Sequence, residues 1–149
     1  MRIEKIEGYL QQEDTLNQVI DELKDDFTQV EYYANTVLKG NLANNPEEAK
    51  KALSILTGLY MIFRTVLAIA ESIKKNNEIG YYEKLRIEAG KNNEKFTSSV
   101  AERQASNHVR NYRRIRNIIE AYLDSCEKAI GSLQSILKNE KREYNSQGE

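Results

Sequence analysis

The sequence predicts an all-α protein, an elongated helical bundle with a long C-terminal coiled-coil-like helix, on three observations. Apolar residues recur at steps of three and four along most of the chain, the period of a helix face, and no strand alternation survives beside them. A single Pro among 149 residues leaves long runs free of a helix breaker. The chain is 40% hydrophobic and carries 22 Lys and Arg against 23 Asp and Glu, a mixture suited to amphipathic helices. A chain of this length buries roughly 68–70% of its unfolded surface, so a core is attainable without disulfides or metals. One helical domain over residues 1–149 is expected, with no internal repeat.

The first helix is expected near 14–39, where Leu16, Val19, Ile20, Leu23, Phe27, Val30, Ala34, Val37 and Leu38 form one apolar face. Gly40 stops it as a C′ residue. Asn44-Asn45-Pro46-Glu47-Glu48 then restarts the chain with an Asn cap, Pro at the first helical position and carboxylates against the dipole. The second helix is expected near 46–75, with apolar positions from Ala49 to Ile73 wide enough for packing on two sides, so residues 1–77 read as a helical hairpin. Asn76-Asn77 and Gly80 predict a break and a third helix over 81–92. Thr97-Ser98-Ser99 with Glu102 reads as a capping box that opens a helix near 99–144, interrupted near Ser106-Asn107. From Tyr112 the positions Ile115, Ile119, Tyr122, Cys126, Ala129, Leu133 and Ile136 form a coiled-coil-like seam. Asn145 to Glu149 form a polar tail expected to fray.

The sequence lacks the usual parts of an enzyme, and none is expected. Cys126 and His108 are the only thiol and imidazole, which excludes a disulfide scaffold or zinc module. On one helix they would stand about 27 Å apart, too far to share a proton. No Gly-rich phosphate loop or His-Glu-x-x-His motif occurs, so no cofactor is expected. The start, Met1-Arg2-Ile3-Glu4-Lys5-Ile6-Glu7, breaks every apolar run with a charge, so no signal peptide is expected. The most apolar stretch, Ile55 to Ala70, contains Arg64 and is shorter than the ~20 residues of a membrane span. It reads as a buried helix of a cytoplasmic protein with no membrane contact.

The charges nearly cancel in sum but not along the chain. Residues 1–35 carry net −6, whereas Tyr81 to Arg116 hold nine basic residues against four acidic ones, net +5. The basic set is Lys84, Arg86, Lys91, Lys95, Arg103, Arg110, Arg113, Arg114 and Arg116. Arg103, Asn107, Arg110 and Arg114 share a face if the helix is continuous. Such a cluster can neutralise phosphates, and Tyr112 and His108 offer rings to unpaired bases. The competing reading is that these cations solvate a coiled coil and pair with acidic residues of the first helix.

The run Tyr82-Glu83-Lys84-Leu85-Arg86-Ile87-Glu88-Ala89 with Lys91, the polar Thr97-Ser98-Ser99-Val100-Ala101-Glu102, and the helix ending Leu123-Asp124-Ser125-Cys126 through Lys138 carry a likeness to a known family. Over roughly residues 81–144 the chain resembles the phage recombination-mediator family typified by UvsY. The resemblance implies a small helical homo-oligomer without enzymatic activity. It would bind single-stranded DNA and help a RecA-like recombinase replace single-strand-binding protein during DNA recombination, in the host cytoplasm if phage-encoded. Arg86 and Lys91 fall in the matching segment and Lys84 beside them; the long-helix Arg cluster is read from its spacing alone. The first 80 residues have no counterpart in the likeness. The alternative is a helical-bundle structural or regulatory accessory protein of a phage or mobile element that acts through protein–protein contacts.

Overall fold

The computed structural model describes residues 2–147. They form five α-helices and one 3-10 turn: α1 (Arg2–Leu10), the turn Glu13–Thr15, α2 (Leu16–Leu38), α3 (Pro46–Lys91), α4 (Ser98–His108) and α5 (Arg110–Gln147). The protein is all-α, and among the described residues there is no strand. Two compact units are present, Met1–Glu22 with Val66–Ile118 and Leu23–Thr65 with Ile119–Glu149, and α2, α3 and α5 contribute to both.

In the first unit, Ile6, Leu10, Leu16 and Val19 are buried, as are Val66, Ala70, Ala105, Val109 and Ile115. Helix α1 lies outside the periodic segments read from the sequence. At nine residues it is too short to persist alone and is held by tertiary contacts. Ile6 and Leu10 anchor it one turn apart, Lys5 pairs with Glu22 at 3.1 Å, and Arg2 donates to the Glu22 carbonyl at 2.6 Å. Thr15 Oγ1 closes the following turn by donating to the Tyr9 carbonyl at 2.7 Å.

The second unit buries Leu23, Phe27, Val30, Leu56, Phe63, Ile119, Leu123, Cys126 and Leu133. Phe27 lies 5.5 Å from Phe63 and stacks on Tyr122 at 4.0 Å, ring centroid to centroid. The seam of α5 thus passes through Leu123, with Tyr122 half-buried at its edge, where its hydroxyl donates to Glu31 at 2.6 Å. Burial pushes the Cys126 thiol up to about 11.

The helix ends follow local chemistry, with four departures from expectation. Gly40, at φ +71, closes α2 in a Schellman motif: the Asn41 N–H bonds the Thr36 carbonyl and the Gly40 N–H the Val37 carbonyl, as expected. Pro46 opens α3, and Asn45 Oδ1 accepts from the Glu48 N–H at 3.3 Å. The expected break at residues 76–80 is absent, and α3 runs unbroken for 46 residues. Two Asn and a Gly weaken a helix by about 1 kcal/mol each or less, a penalty neighbouring contacts offset, and Asn77 Nδ2 donates back to the Ile73 carbonyl at 2.9 Å. The stop is instead Asn93, at φ 54, where the Glu94 N–H bonds the Ala89 carbonyl. Thr97 takes the N-cap position of α4 without a side-chain bond, so the expected capping box at Ser99 does not form. The expected interruption falls at Val109, between α4 and α5. Helix α5 continues past Tyr144 to Gln147, and the rest of the expected tail lies outside the described residues.

Candidate nucleic-acid interface

All nine predicted cations belong to the first unit. Lys84, Arg86 and Lys91 stand on the last turns of α3, Lys95 on the following loop, Arg103 on α4, and Arg110, Arg113, Arg114 and Arg116 on the first two turns of α5. Lys84, Lys91, Lys95, Arg103 and Arg110 are exposed and make no ion pair or hydrogen bond among the described residues. The other four are engaged. Arg86 pairs with Glu83 at 2.6 Å, and Arg116 pairs with Glu71, whose carboxyl its guanidinium holds below the usual range. Arg114 donates to Asn17 Oδ1 at 2.6 Å. Arg113 donates to the Ser106 carbonyl at 2.9 Å and hydroxyl at 2.7 Å.

The break at Val109 is slight, with φ −98 and ψ 17. The Val109 N–H still bonds the Ala105 carbonyl at 3.3 Å, and the Arg113 N–H bonds the Val109 carbonyl at 2.9 Å, so the helical register carries across it. Arg103, Asn107, Arg110 and Arg114 are accordingly all exposed at helical spacing. Three of these four are guanidinium groups.

The aromatic candidates divide. Tyr112 is only 8% exposed, and burial raises its phenol, so its ring belongs to the core and is withdrawn from any base. His108 is exposed and stacks on Tyr81, centroids 4.0 Å apart and planes within 10°. Sequence reading missed Tyr81 because residues 76–80 read as a break. In a continuous α3, Tyr81 stands on the same helix as the buried Val66, Ala70 and Ile73. Tyr82 meets Phe96 edge-on at 5.6 Å nearby.

In the second unit the apolar part of α3 is far from fully covered, contrary to the buried helix expected. Met61 is 65% exposed, and Ile55, Tyr60 and Ile62 are half-buried. By length and composition alone α3 is apolar enough to cross a membrane, and 28% of its most apolar window is buried. Among the described residues no group of three or more His, Cys, Asp or Glu is placed to hold a metal ion. No protein-family model, curated protein or solved structure matches the chain.

Proposed function

We propose that the protein is a non-enzymatic, single-stranded-DNA-binding recombination mediator that helps load a RecA-like recombinase in place of single-strand-binding protein. The carrying observation is a set of five exposed cations in the first unit that make no ion pair or hydrogen bond, Lys84, Lys91, Lys95, Arg103 and Arg110. Arg113 and Arg114 add to it, because each donates to neutral oxygens and keeps its charge. Unpaired cations are free to take up phosphates and release counterions, the main source of affinity for a nucleic-acid strand. The resemblance of residues 81–144 to UvsY-like mediators supports the same reading.

The test is the salt dependence of single-stranded DNA binding. Each phosphate neutralised contributes about −0.7 to the slope of log affinity against log salt. Replacing Lys91, Arg103 and Arg110 together by Ala is expected to weaken binding to all sequences alike and to flatten the slope by about two. A parent protein that does not bind, or a triple variant with the parent's affinity and slope, removes the proposal.

Self-association, which belongs to the mediator reading too, is supported by a different observation: Met61 is 65% exposed beside the half-buried Ile55, Tyr60 and Ile62 on α3. We propose that this side is covered by a second copy of the chain, since an exposed apolar helix side marks a contact surface. Sedimentation is expected to give a particle larger than 17.2 kDa at micromolar concentration, and Met61→Glu to shift it toward that mass. A 17.2 kDa parent particle overturns this assignment.

A further inference from the structure

We infer that the Tyr81–His108 stack is a seat for one unpaired nucleobase, which lies on the outer face of the His108 ring. The inference rests on the single-stranded-DNA reading above and adds a base-binding step to it. Stacking of two rings within 10° of parallel at 4.0 Å covers one face of the imidazole, yet His108 remains exposed. The base is assigned to the second face, the one that Tyr81 does not cover. That second face has the orientation a base needs to continue the stack, and Tyr81 beneath it, half-buried, keeps the imidazole from turning.

The surroundings fit a nucleotide of a strand better than a free aromatic molecule. Lys84 lies one turn along α3 from Tyr81, exposed and without a partner, within the 5–6 Å Cβ spacing of about one helical turn. It can neutralise the phosphate attached to the stacked base. Phosphate neutralisation and stacking are separable contributions, because only the first depends on salt. Every base has a flat face, so the seat is tolerant of sequence, as a mediator working along arbitrary strands requires.

Anisotropy titrations of labelled oligothymidine and of an abasic strand of the same length, across a salt series, test the assignment on the full-length protein. His108→Ala is expected to weaken oligothymidine binding by roughly 5- to 150-fold, the range that one stacked base supplies, with the salt slope unchanged. On the abasic strand the same variant is expected to bind as the parent does. His108→Phe, which keeps a flat ring and removes the imidazole, is expected to restore parental affinity, and Lys84→Ala to flatten the slope by about 0.7. Circular dichroism of His108→Ala at parental helicity separates lost stacking from lost folding. The seat is overturned, and the DNA reading kept, if His108→Ala binds oligothymidine like the parent or weakens both strands equally. Failure of the parent to bind either strand overturns both.

Discussion

The Arg113 guanidinium reaches back seven residues to donate to both the carbonyl and the hydroxyl of Ser106, bridging the point where α4 gives way to α5. The Ser106 carbonyl is among the last four of α4, which have no intrahelical partner, and a cation there also faces the negative end of the helix dipole. This half-buried residue is therefore a staple of the fold first and a phosphate ligand second. Charged hydrogen bonds contribute about 1.5–3 kcal/mol, and partial exposure lowers that, so Arg113→Ala is expected to lose about 1–2 kcal/mol in urea unfolding. Arg110→Ala, at an exposed position without an ion pair or hydrogen bond, is expected to leave stability within about 0.5 kcal/mol and to act on DNA affinity alone. Equal losses of stability in the two variants would contradict this division.

Acid sensitivity is expected to centre on Glu71. Its carboxyl is lowered chiefly by the hydrogen bond from Arg116, with Lys74 adding to it at 3.3 Å. A carboxylate depressed in the folded state stabilises the protein above its ordinary value of about 4.3, and that contribution disappears as the pH falls through the lowered one. Melting temperature measured from pH 6 to pH 3 is expected to fall less steeply for Glu71→Gln than for the parent below about pH 4.3, the variant starting lower at pH 6. Parallel curves would mean that the pair contributes nothing.

Cys126 is expected to be chemically silent in the native state. Its thiol is fully buried and pushed up to about 11, so almost no thiolate exists at neutral pH. Alkylation at pH 8 is expected to be slow until urea unfolds the second unit, and its rate then reports the opening of that unit. Fast labelling of the folded protein would show that α5 opens locally at this position.

Two neighbouring positions on α3 are expected to behave oppositely. Phe63 is 0% exposed and packs on Phe27, so Phe63→Ala is expected to cost about 3–5 kcal/mol in unfolding. Met61, 65% exposed, is expected to cost less than about 0.5 kcal/mol as Ala. Chemical denaturation at low protein concentration measures both without contributions from association.

What could be read from sequence was the periodic and the locally chemical. The apolar face of α5, that of α2 from Leu16 to Val30, the Gly40 stop and the Asn45-Pro46 start all depend on neighbours within a few residues and appear in the fold, whereas Ala34 and Leu38, expected on the α2 face, are exposed. Asn76-Asn77 and Asn92-Asn93 carry the same local signal, yet only Asn93 adopts the left-handed conformation that ends a helix. Tertiary contacts decide between them, and a single sequence does not contain those. The same limit applied to the cations. Spacing placed Arg103, Arg110 and Arg114 on one face, but Glu71, Asn17 and Ser106, which engage Arg116, Arg114 and Arg113, come from separate parts of the chain. Tyr81 follows directly on residues 76–80, which read as a break, and its ring partner lies 27 residues away on α4.

The two ring stacks give the chain an optical signature for each of its halves. With nine Tyr and no Trp, its near-ultraviolet dichroism arises chiefly from tyrosines held in fixed surroundings. Tyr81 on His108 reports from one unit and Tyr122 on Phe27 from the other. Difference spectra of His108→Ala and Phe27→Leu against the parent isolate the two contributions. During a thermal scan they reveal whether the halves melt together or in succession, with no dye attached and no residue introduced to carry one.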